Sequence, residues 1–254
     1  MRVIIYGDFN CPFSYLASQR AGRLARAGTV LAEWRAVEHD RCLAVTGTRS
    51  EADRAAWESE LAEVAALALP GEHAPQAPPP VVSSTGAAVA AYAEAVSDGI
   101  ADELRRRLFR AVWAEGRHIS SAYEVRRLVT GLMWPQEDIR DRLASPDIPS
   151  LLNRDPDLAR IVRRSGGTIA TDGVPLTTTG WRRIRRWRED WLALPSQVIP
   201  AVVGPDGILR AGADGLCYLA DLAGQSGAVA GLAAGPAAEP GRHRRSLRAA
   251  RTAA

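Results

Sequence analysis

Cys11 is the residue whose type and setting offer the clearest chemistry. It stands in the run Asp8-Phe9-Asn10-Cys11-Pro12-Phe13-Ser14-Tyr15-Leu16-Ala17. Upstream, Val3-Ile4-Ile5-Tyr6 reads as a buried strand; downstream, Leu16, Gln19, Arg20, Leu24 and Ala27 continue at helical spacing. The cysteine therefore falls at or near a helix N-cap, with Pro12 at the first helical position, where a missing N–H costs nothing. A thiolate there faces unpaired backbone donors and the positive end of the helix dipole, which predicts a lowered pKa and raised reactivity. Ser14, one helical turn on, is spaced to donate a hydrogen bond to it. The competing reading of Cys11 is a small, buried, apolar cysteine.

Elements that could position further groups follow from the pattern. Thr29 to Val37 alternates partly and reads as a second strand, joined to the first by a right-handed helical crossover. Parallel strands end on one side of the sheet, so Glu38-His39-Asp40 should emerge on the side of Cys11. His39 is then a candidate base or ligand-binding residue, although a solvated loop is the commoner outcome. Cys42 lacks the second pair of ligands that a zinc site requires, and no metal is expected. Gln197-Val198-Ile199-Pro200-Ala201-Val202-Val203 is β-rich with an internal proline, which ordinarily excludes a central strand. Gly204-Pro205-Asp206-Gly207 is a turn, Ile208-Leu209-Arg210 a partner strand, and Ala213 to Leu222 a final helix.

The Cys11 turn resembles the active-site turn of the DsbA family of thioredoxin-fold proteins. It resembles more closely the branch holding kappa-class glutathione transferases and 2-hydroxychromene-2-carboxylate isomerases. DsbA-type oxidoreductases carry Cys-Pro-x-Cys, whereas Cys11-Pro12-Phe13-Ser14 has serine in place of the resolving cysteine. The other branch reads Ser-Pro-Tyr-Ser-Tyr-Leu, which matches Ser14-Tyr15-Leu16 but has serine where this chain has Cys11. The resemblance implies an α/β, thioredoxin-like fold with a helical domain inserted between its two halves. Residues 1–45 and 194–223 would form the thioredoxin-like domain, 46–193 the insertion and 224–254 a flexible basic tail. It also implies that Pro200 is a cis-proline beside the cysteine, leaving the backbone of Ile199 free to pair with a peptidic thiol or substrate. Pro12, Phe13, His39, Ile199 and Pro200 would then bind substrate around the catalytic Cys11 and Ser14.

Between the two halves the pattern is helical. Glu51 to Leu69 precedes an extended connector with Pro70, Pro75, Pro78, Pro79 and Pro80. Ser83-Ser84-Thr85 offers an N-cap for a helix reaching about Val96, and Asp98 or Asp102 opens the next, containing Leu104, Leu108, Phe109, Val112 and Trp113. Further helices are expected from Ser121 to Thr130, Pro135 to Leu143 and Asp155 to Ser165. The run from Arg107 to Ser120 resembles the helical lid of DsbA-type proteins, with His118 where they carry aspartate. From Trp181 to Leu192, the residues Trp181, Ile184, Trp187, Trp191 and Leu192 recur at helical spacing opposite an arginine-rich face. We read them as a core stripe, with some arginines available to steer an anionic thiol toward the site.

Composition bounds the function class. The chain has 254 residues, 46% hydrophobic and 24% charged, as an ordinary soluble globule does. Its formal charge is +3, and the tail from Gln225 carries five arginines against one glutamate, so the remainder is near neutral. That gives no global case for nucleic-acid binding, and no apolar run is long enough for a bilayer span. Three widely spaced cysteines argue against a secreted disulfide scaffold. A cytoplasmic bacterial enzyme is expected. All 32 basic residues are arginine, a bias toward GC-rich genomes such as those of actinomycetes, where the small thiol would be mycothiol rather than glutathione.

The expected function is a monothiol thiol-disulfide oxidoreductase, in which Cys11 exchanges mixed disulfides with a low-molecular-weight thiol, mycothiol or glutathione, and a small disulfide or electrophilic substrate. The resemblance also allows a kappa-class-like transferase or isomerase, in which Cys11 orients the cofactor's thiolate, and a non-catalytic binding protein. The oligomeric state is left open, with a homodimer as one option.

Overall fold

The computed structural model describes residues 1–28, 30–50, 54–133, 150, 153–156, 169–170 and 172–224. The helix expected over Pro135–Leu143, the helix expected over Asp155–Ser165 beyond its first two residues, and the tail beyond Gly224 lie outside the described residues.

The chain opens with strand β1 (Arg2–Gly7), helix α1 (Pro12–Ala27) and strand β2 (Leu31–Ala36). β1 and β2 are parallel, Ile5 opposite Trp34 and Tyr6 opposite Arg35, so α1 is the crossover that a parallel pair requires. Helix α1 ends at Gly28, whose φ of 69° lets its N–H reach back to the Leu24 carbonyl at 3.1 Å. Two short strands come much later, β5 (Ala201–Val203) and β6 (Leu209–Ala211). β5 runs antiparallel to β1 and β6 antiparallel to β5, giving the sheet order β2-β1-β5-β6. The last helix, designated α7 (Ala213–Leu222), returns onto α1 and β6. The sheet is therefore mixed, and the α/β, thioredoxin-like architecture is present.

Between the two halves lie α2 (Arg54–Leu67), α3 (Gly86–Asp98), α4 (Ala101–Trp113), α5 (Ala122–Met133) and α6 (Thr178–Leu192). A ribbon not anticipated from the sequence pairs β3 (Thr48–Arg49) with β4 (Val81–Val82) and closes the proline-rich connector on itself. The helices share one apolar core with the sheet. Phe109 of α4 meets Phe9 at 5.0 Å, Trp34 at 5.6 Å and Tyr15 at 5.8 Å between ring centroids. Close packing of such rings fixes α4 over the start of α1.

A buried ion pair holds α1, α7 and the end of α2 together. The Arg20 guanidinium donates to both Glu72 carboxylate oxygens at 2.9 Å and to the carbonyls of Leu67 and Leu216 at 2.6 Å. Glu72 is fully buried and also accepts from the Leu69 N–H. Satisfying both charges in this way is what makes their burial tolerable.

The aromatic stripe of α6 is only half a core stripe. Trp187 and Trp191 are buried, Trp187 against Tyr92 of α3, but Trp181 is 51% exposed and Leu192 48%. At 3.6 residues per turn, Trp181 and Leu192 lie about 120° and 140° around the helix from Trp187, too far to share its face.

Candidate active site

Cys11 is the N-cap of α1, with extended backbone (φ −95°, ψ 122°) and Pro12 directly after it. Its Sγ accepts a hydrogen bond from the Ser14 N–H at 3.4 Å and donates to the carbonyl of Ile199 at 3.7 Å. The Ile199–Pro200 peptide is cis, as the resemblance implied. Cys11, Ser14, Ile199 and Pro200 are thus brought together although the last two are distant in the chain. Pro12 and Phe13 are adjacent but buried; the Phe13 ring is 3% exposed and belongs to the core.

The turn is held from below by Asp8, whose buried carboxylate accepts from the N–H groups of Asn10 and His39 at 3.3 and 2.8 Å. The Thr85 hydroxyl also serves Asp8 instead of capping α3, the role its sequence position suggested. Asn10 donates through its side chain to the Ser83 carbonyl. His39 is exposed, and its ring meets Trp191 at 6.1 Å; its backbone N–H donates to Asp8 and its imidazole also acts on the Asp8 carboxylate through its charge. His118 bonds the Ser120 hydroxyl at 2.7 Å, as a structural histidine does. Cys42 is exposed and Cys217 partly buried, and both are free thiols.

The electrostatics reverse the expectation for the thiol. Burial first, then the Glu60 carboxylate, pushes Cys11 up to about 12; both Ser14 groups oppose this and Asp8 adds to it. The helix N-terminus supplies its donor, but the lost hydration and two nearby negative charges outweigh it. The resting side chain is therefore a neutral thiol.

Glu60 is the site residue that sequence reasoning missed. It lies on α2, 49 positions from Cys11 by number, on the helical face that also carries Trp57 and Val64. Trp57 meets Trp113 at 6.1 Å, and the Trp113 indole N–H donates to the Phe9 carbonyl at 2.9 Å, so this wall reaches the thiol turn. Burial, reinforced by Glu63, pushes Glu60 up to about 7. The one available signal was a glutamate at the apolar spacing of Trp57, Leu61 and Val64. Two side-chain oxygens flanking Cys11, Asn10 Oδ1 and Ser14 Oγ, are buried and make no well-formed hydrogen bond among the described residues.

Three arginines of α6, Arg182, Arg185 and Arg188, line a cleft with Arg41 and Glu38, and the lining of this cleft does not include Cys11.

A DSBA-like thioredoxin domain matches residues 2–167, well over half of the chain. The chain belongs to the DSBA-like thioredoxin family. The match ends before Pro200, and the C-terminal strands and helix are joined to it by the fold. Among solved structures, a probable DsbA oxidoreductase from Streptomyces coelicolor is similar, with TM-score 0.54 and 16% identity over 89% of either chain. A 2-hydroxychromene-2-carboxylate isomerase is similar with TM-score 0.54 and 18% identity, over 89% of this chain and 95% of that one. The cytosolic disulfide reductase DsbM from Pseudomonas aeruginosa, solved with GSH, is similar with TM-score 0.52 and 14% identity, over 88% of this chain and 96% of that one. At such identities these neighbours support the fold. Among curated proteins, none matches. No group of three or more metal-ligating side chains occurs among the described residues, and no described helix is long and apolar enough to cross a membrane.

Proposed function

We propose that this DSBA-like protein is a monothiol enzyme in which Cys11 exchanges disulfides with a low-molecular-weight thiol, with Glu60 as proton acceptor. The observation that carries this is the seat of Sγ between the Ser14 N–H and the Ile199 carbonyl beside cis-Pro200. A nucleophile there can attack a sulfur held strand-like against Ile199. Support for a small thiol comes from the family neighbour solved with GSH; glutathione and mycothiol both fit the proposal.

The reaction balances without an outside oxidant. The Cys11 proton passes to the Glu60 carboxylate, and the thiolate attacks one sulfur of a disulfide R–S–S–R′. The old S–S bond breaks, R′S⁻ leaves and takes the proton from Glu60, and Cys11 is left bound to R through sulfur. Ser14 has no thiol to resolve this species, so a second small thiol attacks it as thiolate and restores Cys11. A proton acceptor near neutrality answers the need created by a partly buried thiol whose ionisation is opposed by lost hydration. Ser14 Oγ would turn to the developing thiolate, and Asn10 Oδ1 would accept an N–H of the ligand.

A second reading has its own observation. A neutral Cys11 S–H is a hydrogen-bond donor, the role that serine has in the branch with Ser-Pro-Tyr-Ser. In that case Cys11 would orient a bound cofactor's thiolate rather than attack. Cys11→Ser separates the two. Loss of turnover and of the disulfide adduct, mapped by mass spectrometry after incubation with glutathione disulfide, supports the nucleophile. Retained or improved turnover supports the donor. Adducts only at Cys42 or Cys217 would overturn the proposal.

A further inference from the structure

The half of the α6 stripe that faces outward forms the wall of a second cleft. At helical spacing, Trp181, Ile184, Arg185 and Arg188 face the end of β2 and the loop that follows it, with Val89 of α3 between. The cleft holds about 570 Å³, and small-molecule sites typically hold about 300–1,000 Å³.

Its lining joins two features that are costly when left empty. Trp181 presents half of its surface to water beside Ile184. Arg41, Arg182, Arg185 and Arg188 converge on the same space against one acid, Glu38. Arg41 reaches Glu38 at 4.0 Å, and Arg185 reaches the exposed Glu189 at 3.7 Å. Arg182 has no ion-pair partner among the described residues, and Arg188 acts on Glu38 only through its field, without a salt bridge. Burial and the neighbouring Asp8 carboxyl push Glu38 up, so its capacity to neutralise four guanidinium groups is weakened.

We propose that this cleft binds a small organic anion with a planar apolar body, the ring against Trp181 and Ile184 and the carboxylate, sulfonate or phosphate among Arg182, Arg185 and Arg188. Guanidinium forks suit such groups because their paired N–H donors match the oxygen geometry. A long polyanion or a membrane surface fits less well, because Glu189 and Asp190 interrupt the arginines along the exposed side of α6 and would repel it. The site does not depend on Cys11 chemistry, since the cleft lining does not include the thiol.

The test is isothermal titration of the full chain with 2-naphthalenesulfonate, and with uncharged 2-naphthalenemethanol for comparison. The expected result is saturable binding at one site, weakened at least about tenfold when the sulfonate is absent. Arg185→Glu with Arg188→Glu, and separately Trp181→Ala, should each weaken it about tenfold or more. Each variant should keep the cooperative unfolding transition of the unaltered chain, as a thermal melt would show. Cys11→Ser should bind like the unaltered chain, which separates this site from the proposed catalytic one. Absence of saturation, equal affinity in the charge-reversed chain, or heat that tracks self-association because a second copy fills the cleft would overturn the proposal.

Discussion

Cys11 Sγ and the Ile199 carbonyl oxygen lie 3.7 Å apart although 188 positions separate the two residues. The contact ties the first crossover to the strand pair that closes the sheet. It also means that the thiol is held as a donor in the resting protein, so any nucleophilic role requires its ionisation.

Ser14 is the first place to alter that balance. Its N–H and hydroxyl both favour the thiolate, and the buried hydroxyl makes no well-formed hydrogen bond among the described residues. Ser14→Ala should therefore raise the pH at which iodoacetamide alkylates Cys11. Because no well-formed resting hydrogen bond is lost, stability should change by less than about 1 kcal/mol. Peptide-resolved alkylation against pH, with a urea melt, reads both effects.

Glu60→Gln should act in two directions. Removing the carboxylate that opposes ionisation should lower the alkylation midpoint of Cys11. Disulfide exchange at neutral pH should nevertheless slow by about 10²-fold or more if Glu60 is the proton acceptor. A faster exchange that simply follows the lower midpoint would show that Glu60 acts only through its field.

The same residue makes stability depend on pH. Its folded-state value, about 7, is above the ordinary 4.5. Between those values the folded chain keeps a proton that the unfolded chain has lost, so stability falls as pH rises through this window and the loss is complete above it. The cost is on the order of 3 kcal/mol at pH 8. Glu60→Gln should be more stable than the unaltered chain at pH 8 and near equal at pH 4, as denaturant midpoints would show.

The buried pair Arg20–Glu72 should be costly to break from one side. Glu72→Ala leaves a fully buried guanidinium with only carbonyl partners and should lower stability by about 3–5 kcal/mol. Since the pair anchors the end of α2, which carries Glu60, the alkylation profile of Cys11 should shift as well.

Gly7 is a packing constraint behind the site. A Cβ there would stand 2.5 Å from Trp34 Cζ2 and 3.0 Å from Ser14 Oγ. Gly7→Ala should destabilise by about 1–3 kcal/mol through overpacking and should displace Ser14 from the thiol. Thermal unfolding measures the first effect and the Cys11 alkylation midpoint the second.

Much of the framework was legible in the sequence. The strand before Cys11, Pro12 at the first helical position and the β-rich run at Pro200 are local signals, because backbone chemistry at caps and strand starts depends on adjacent residues. Helix limits were readable to within a few residues for the same reason. The sign of the Cys11 ionisation was not legible. It depends on how much water the fold removes and on a carboxylate brought in on α2, and neither is a property of the turn. The α6 stripe shows the same division. Its spacing determined an amphipathic helix read as one apolar stripe, while only the tertiary packing, with Trp187 against Tyr92 and Trp191 against His39, decided that these two go inward and Trp181 stays at the mouth of a cleft. Local sequence sets backbone form; hydration and charge at a side chain are sums over neighbours that only the tertiary structure assembles.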